Sequence, residues 1–258
     1  GFTGGKNVNI GTLDNIDQFG SSVSLNGAGD RLAVGAQRGD GQGNVGDLTG
    51  EVHLFSFTGT SFSGGSLEGT IGEGFTGGNN VDIASILDDQ DRFGSAVSLN
   101  AAGDRLVVGA KGGIGSGNSG TNIGEVHLFT FDDVDFTNGT LEGTIGEDFT
   151  GGNNVDIASI LDDGDSFGSA VSLNASGDRL AVGAFGGEGQ GNSGAGIGEV
   201  HLFTFDDADF TNGSLEGTIG EDFTGGNNVD IASILDDGDR FGSAVSLNAS
   251  GDRLAVGA

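Results

Sequence analysis

The chain has 258 residues, 55 of them glycine, with no proline, cysteine, methionine, tryptophan or tyrosine, and its 38 acidic and 9 basic side chains give a formal charge of −29. That charge repels phosphate backbones and anionic lipid, which argues against nucleic acid and acidic membranes as partners and leaves divalent cations, cationic surfaces and neutral glycans open. Glycine without a Gly-X-Y period or proline excludes collagen, absent cysteine excludes disulfides and thiolate chemistry, and no apolar run approaches the ~20 residues of a membrane helix. Hydrophobic residues make up 34% and fall in regular clusters, so disorder fits poorly.

The chain is built from a repeat. Phe-Thr-Gly-Gly stands at Phe2, Phe75, Phe149 and Phe223, and Phe-Gly at Phe19, Phe93, Phe167 and Phe241. Asp-Arg-Leu-(Ala/Val)-Val-Gly-Ala begins at Asp30, Asp104, Asp178 and Asp252. Glu-Val-His-Leu-Phe begins at Glu51, Glu125 and Glu199, and Leu-Glu-Gly-Thr-Ile-Gly at Leu67, Leu141 and Leu215. The period is 74 residues, shortened once to 73 because linker 8–18 lacks one residue of its counterpart 81–92. Repetition over the whole chain points to an array of supersecondary units. With Gly1 inside a repeat and no initiating Met, the sequence reads as a piece of something longer.

In chain order, the second repeat opens on residues 81–87, which fit one helical turn or a strand; longer amphipathic periodicity is missing. Residues 93–100 predict a strand with Phe93, Ser95, Val97 and Leu99 on one face and Gly94, Ala96, Ser98 and Asn100 on the other. The short polar loop 100–104, with Gly103 available for a left-handed position, is hairpin chemistry leading into a second strand, 105–110. A glycine-rich loop, 111–124, precedes a third strand, 125–131. Val126 and Leu128 share one of its faces and His127, Phe129 and Phe131 the other, as expected for a strand between two neighbouring sheets. Residues 141–146 predict the fourth strand.

Four short strands per repeat read as a four-stranded antiparallel, propeller-type blade in an all-β chain. The blades span 19–72, 93–146 and 167–220, and 241–258 supplies only the inner hairpin of a fourth. The edge at 253–258 is apolar and needs cover, so the expected arrangement is an open array or filament, or part of a larger propeller, completed by flanking repeats or further copies.

Phe93-Gly94-Ser95-Ala96-Val97, then Leu106-Val107-Val108-Gly109-Ala110, then Gly124-Glu125-Val126-His127-Leu128-Phe129 resemble the FG-GAP type of β-propeller repeat of integrin α-chain heads and many bacterial surface proteins. The hairpins and the Thr-Ile-Gly-x-x-Phe-Thr-Gly-Gly linkers are also similar to repeat tracts of very large secreted bacterial proteins labelled haemagglutinin-like or adhesin-like. The sequence departs from the family at three places. Gln37, Lys111 and Phe185 replace the proline after Gly-Ala, and His53, His127 and His201 replace a tyrosine. The family's Asp-rich calcium loop between strands one and two is reduced to runs such as Asn174-Ala175-Ser176-Gly177-Asp178, too poor in carboxylates for 6–8 oxygens.

Candidate sites follow the repeat. Asp88, Asp89 and Asp91 recur as Asp162, Asp163 and Asp165 and as Asp236, Asp237 and Asp239, while the first repeat keeps Asp14 and Asp17. Three carboxylates within four residues could hold Ca²⁺ with backbone carbonyls and water, and could equally form a solvated acidic loop. Asp132, Asp133 and Asp135 recur as Asp206, Asp207 and Asp209 but give way to Thr58, Gly59 and Ser61, which argues against a required ligand set. One histidine per repeat is expected to be packed or paired on a strand face. Arg31, Arg105, Arg179 and Arg253, the only basic residues in every repeat, are expected to make an ion pair or cap a loop carbonyl or carboxylate.

No repeat carries a singular catalytic constellation, so no enzyme activity and no required cofactor are expected. The sequence points to a scaffold or spacer segment of a bacterial extracellular fibre or surface adhesin, with no membrane insertion. A glycan- or protein-binding, lectin-like propeller recognising a cell-surface ligand, and an accessory domain of a secreted hydrolase, are the alternatives.

Overall fold

A computed structural model describes residues 6–44, 46–59, 61–117, 120–133, 135–191, 195–207 and 209–258. The first Phe-Thr-Gly-Gly copy, at Phe2, lies outside them. The chain is all-β. A first sheet holds β1 (Phe19–Leu25), β2 (Arg31–Ala36), β3 (Glu51–Ser56), β4 (Ser66–Gly72) and β5 (Val81–Asp82). A second holds β6 (Phe93–Leu99), β7 (Arg105–Ala110), β8 (Glu125–Thr130), β9 (Thr140–Gly146) and β10 (Val155–Asp156). A third holds β11 (Phe167–Leu173), β12 (Arg179–Ala184), β13 (Glu199–Thr204), β14 (Ser214–Gly220) and β15 (Val229–Asp230). A two-stranded sheet, β16 (Ala244–Leu247) and β17 (Leu254–Gly257), ends the chain.

Within each large sheet the strands lie in chain order, and the first four are antiparallel. Alternation of apolar side chains sets the register: Leu99 faces Leu106, Val108 faces His127, and Val126 faces Ile145. The inner turn is closed by side chains. In the second repeat Asn100 Oδ1 accepts from the Gly103 amide at 2.8 Å, and its Nδ2 donates to Asp104 at 2.8 Å. These polar groups hold the turn themselves.

The fifth strand differs from the four-strand reading. Residues 81–82 run parallel to β4, with Ile71 opposite Val81. Only two residues pair there, because the neighbouring asparagine replaces the backbone ladder. The Thr70 amide donates to Asn80 Oδ1 at 2.8 Å, and the Thr144 amide to Asn154 Oδ1 at 2.8 Å. The linker after each fourth strand is thereby fastened to its own sheet before it crosses to the next.

Successive sheets stack through their inner strands: β6 against β1 and β2, β11 against β6 and β7, and β16 against β11 and β12. Each of the first two seams holds one apolar core. In the first, Ala33, Val52, Leu54 and Ile71 meet Phe93, Val97, Leu99, Phe129 and Phe136. In the second, Val107, Val126, Leu128 and Ile145 meet Phe167, Val171, Leu173, Phe203 and Phe210. Every sheet therefore has two unlike faces: an aliphatic forward face and a phenylalanine-bearing backward face. This is the stacking of propeller-type blades, and it makes each seam head-to-tail.

Glycine lets the faces approach. Gly168 sits at φ +81° beside a bulge in β11, where the register shifts between Phe167 and Ala170. A Cβ on Gly109 of the preceding sheet would overlap the Gly168 carbonyl oxygen. The Phe-Gly and Val-Gly-Ala motifs are thus the two halves of one backbone-on-backbone contact. Gly109→Ala is expected to prise the second and third sheets apart and cost on the order of 3 kcal/mol. Urea denaturation followed by circular dichroism measures this, and an unchanged midpoint would refute the contact's role.

Candidate functional site

The polar groups that recur with the repeat gather at the seams. The linker from sheet to sheet is stitched to the loop that precedes the third strand of the sheet behind it. Phe93, Arg92 and Gln90 donate their amides to Thr49, Leu48 and Asp47 carbonyls at 2.8, 3.1 and 2.7 Å. The acidic trio lies in this stitch, and its members do different jobs. Asp91 Oδ2 accepts the Asp88 amide at 2.7 Å, Asp165 Oδ2 the Asp162 amide at 2.9 Å, and Asp239 Oδ2 the Asp236 amide at 2.9 Å. Asp17 accepts from the Asp14 backbone amide in the same way, which explains why the first repeat keeps Asp17. The middle carboxylate reaches across instead: Asp89 accepts from Asp47, Asp163 from Thr121 and Asp237 from Ala195. Among the described residues no group of three or more His, Asp or Glu is placed to share a metal ion.

Asp91 and Asp165 turn inward and are buried. Burial, with Glu125 alongside, pushes the Asp91 carboxyl up to about 8. Burial pushes Asp165 up to about 7, with Glu199 adding to the rise and its hydrogen bond from the Asp162 amide opposing it. The same glutamates meet the histidines. His53, His127 and His201 are fully buried, with Nε2 at 2.9, 3.1 and 3.0 Å from Glu51, Glu125 and Glu199. Their Nδ1 atoms lie 3.2, 3.1 and 3.1 Å from the hydroxyls of Thr70, Thr144 and Thr218. Each ring is thus held between a carboxylate on its Nε2 side and a threonine hydroxyl on its Nδ1 side. In the second repeat the His127 Nε2 and Glu125 Oε1 atoms are close but make no hydrogen bond. Each ring also packs 5.4–5.5 Å from Phe19, Phe93 or Phe167. The threonine partner was not singled out from the sequence; its signal was the recurring Gly-Thr-Ile, whose threonine stands directly opposite the histidine on the adjacent strand.

The arginines bridge seams without an acid partner. Arg105 donates from Nη1 to the Ser176 carbonyl of the next hairpin at 2.9 Å, and its guanidinium lies 5.7 Å from the Phe210 ring centre. Arg31 lies 5.5 Å from Phe136 in the same manner. Of the roles expected, the carbonyl cap is present at Arg105 and no arginine ion pair is seen among the described residues; the cation–π contact was not anticipated. The carboxylate salt bridges among the described residues are those of histidine with glutamate. The second acidic cluster shapes the loop that carries this phenylalanine. Asp133 accepts amides from Asp135 and Thr137 at 3.0 and 3.2 Å, and Asp207 does the same with Asp209 and Thr211. Asp132 and Asp206 accept from Asn138 and Asn212. These carboxylates organise a turn and do not converge on a common point.

An open cleft of about 520 Å³ beside the second seam is lined by Glu147, Asp162, Asp163 and Glu188. Burial and then the surrounding aspartates hold the Glu147 carboxyl above its ordinary range. This concentrates negative potential without building a ligand cage.

No family model matches this sequence, and no curated protein sequence matches it. Among solved structures, the chain is similar to the crystal structure of Saccharomyces cerevisiae Sqt1, with 11% identity and a TM-score of 0.41 over 83% of this chain. The chain spans 37% of the length of that protein.

The inward aspartates set a pH dependence. Their folded value lies above the ordinary 3.8, so unfolded chains ionise first as pH rises and the folded chain must hold the proton or accept a buried charge. Their contribution is greatest below pH 4 and is lost between pH 4 and about 8. Asp91→Asn with Asp165→Asn retains an acceptor for each amide. The double variant is expected to gain thermal stability over the parent progressively across that window. A constant difference from pH 4 to 8 would contradict the assignment.

Proposed function

We propose that the chain is an FG-GAP-type repeat segment that acts as a scaffold or spacer in a bacterial extracellular fibre or surface adhesin, assembling through blade-on-blade packing. The observation that carries this reading is that the recurring polar groups are engaged in holding turns, sheets and seams. The acidic loop stitches a linker, the histidine cluster sits within a sheet at the seam, and the arginine clamps the next hairpin. The same set recurs with each repeat, and none stands apart in the way a catalytic constellation does. The faces also support propagation. On the first sheet's backward face Phe19 and Val23 are 41% and 63% exposed, although their counterparts Phe93 and Val97 are buried under a preceding sheet. Unlike faces that fit head-to-tail build linear arrays.

In this reading the acidic loops keep the array soluble, and they gather cations by screening more than by coordination. Electron microscopy and light scattering on the purified chain test the proposal. Concentration-dependent linear association is the expected outcome, and a discrete monomer at all concentrations, or robust turnover abolished by a point mutation, would overturn it. A parallel measurement concerns Ca²⁺. Calcium chloride and sodium chloride at equal ionic strength should raise the melting temperature alike, whereas an excess with calcium would give Asp162, Asp163 and their copies a ligand role.

A further inference from the structure

The third seam differs from the first two. A cavity of about 370 Å³ opens there, lined among others by Arg179, Leu202, Phe203, Glu216, Leu247 and Arg253. The two complete seams display what occupies the corresponding space. Across the first, Phe136 lies against Arg31, and across the second Phe210 lies against Arg105; both rings are fully buried. Each is delivered by the turn between a third and a fourth strand and is backed at 5.0 Å by a second ring, Phe131 or Phe205. An asparagine of the preceding linker holds that turn: Asn79 donates to the Asp135 carbonyl at 2.8 Å and Asn153 to the Asp209 carbonyl at 2.9 Å. Its counterpart Asn227 lines the open cavity.

The rest of the third seam is set out for the same guest. Arg179 is already seated beneath the β16–β17 turn, where a Cβ on Gly251 would meet its Cδ at 2.6 Å, as one on Gly177 would meet that of Arg105. Yet Arg179 is exposed, whereas Arg31 and Arg105 are buried. Val229 and Ile234 are 47% and 74% exposed, although Val81, Val155, Ile86 and Ile160 at the same repeat positions pack on the two cores. The outer edge of β17 corresponds to the edges by which β7 and β12 pair with β8 and β13.

We propose that this cavity and the β17 edge form a docking site for the third-and-fourth-strand hairpin of a further repeat of the same pattern, entering as an added strand pair with its turn phenylalanine against Arg179. The proposal rests on the array reading above and names the contact by which it would grow. The chemistry recognised is a β-hairpin whose turn reads Phe-Asp-Asp-x-Asp-Phe. Main-chain pairing supplies affinity and the ring-on-guanidinium contact supplies register. Charge agrees in part: the acidic turn would approach Arg179 and Arg253, while Glu216 and Asp252 on the same wall oppose it.

The test appends a second copy of residues 185–220 after Ala258 and follows amide exchange. Protection of residues 254–257 and a higher melting temperature are expected, and both should be lost when the appended counterpart of Phe210 is alanine. As a second measurement, a synthetic peptide of residues 198–220 is titrated into the parent chain. We expect saturable one-to-one binding, weakened about tenfold by Arg179→Ala, a change at an exposed side chain that leaves the parent's circular dichroism unaltered. An appended segment that stays unprotected, together with a peptide that does not bind, overturns the docking site even if the chain forms fibres. Binding of the peptide to a chain that remains a discrete monomer supports the docking site and counts against the scaffold reading. Self-association that the peptide does not compete with would place the contact elsewhere and overturn this one.

Discussion

The structure depends on how closely two sheets can approach at their inner strands. At that point main chain meets main chain, and a single methyl group on Gly109 would occupy the space of the Gly168 carbonyl. Once the distance is fixed by backbone, everything outward along the blade must fit the gap that remains. Small and branched side chains on the forward face and phenylalanines on the backward face fill it. The parallel bridges Gly50 to Phe93, Gly124 to Phe167 and Gly198 to Phe241 are possible only at this spacing. They join the start of each inner strand to the start of the third strand of the sheet behind. Packing and linker stitching are therefore two consequences of one close approach.

The polar seam follows from the same constraint. Closely packed sheets leave no room for water around the side chains at their edges, so buried polar atoms must satisfy one another. The glutamate, histidine and threonine of the first and third repeats form such a set, with the ring between a carboxylate and a hydroxyl. An aspartate brought in by the linker adds a second carboxyl near the glutamate, and two carboxylates in a dry site do not both ionise readily. Burial thus keeps a proton on Asp91 or Asp165 that a surface aspartate would release. Surface carboxylates behave in the opposite sense. Hydrogen bonds from Thr211, and from Ser176 with Asn174, hold Asp207 and Asp178 below their ordinary range.

Much of this was legible in the sequence, for physical reasons that differ by element. The 74-residue period and the alternation of Val, Leu and Phe gave the strand positions, because a strand's side-chain period is local information. The ends moved by one residue, as with β8, which stops at Thr130. The fifth strand was legible only as one of two alternatives, a helical turn or a strand over 81–87, since residues 81–82 pair only because Asn80 pins the linker to a partner strand. Three aspartates within four residues left a Ca²⁺ ligand set and a solvated acidic loop both open. Sequence spacing cannot reveal that Asp91 folds back on Asp88 while Asp89 reaches to Asp47 in another repeat. The arginine's partner was likewise distant in sequence. Arg105 meets Ser176 and Phe210, both one repeat onward, and no local pattern joins them.

In the proposed array, repetition would turn these contacts into a rule for growth. Stacked sheets lie about 10 Å apart, close to the Debye length at physiological ionic strength, so charges on adjacent repeats feel one another and charges two repeats away are screened. The favourable terms have the same reach, because β11 touches β6 and β7 behind it and β16 ahead of it. Attraction and repulsion are then both nearest-neighbour quantities, and stability is a sum over seams with no term for overall size. An acidic chain can therefore lengthen without the accumulated charge of −29 acting as a single sphere of charge. In the proposed array, what would limit each added repeat is whether its backward phenylalanines find a forward aliphatic face with an arginine at the rim.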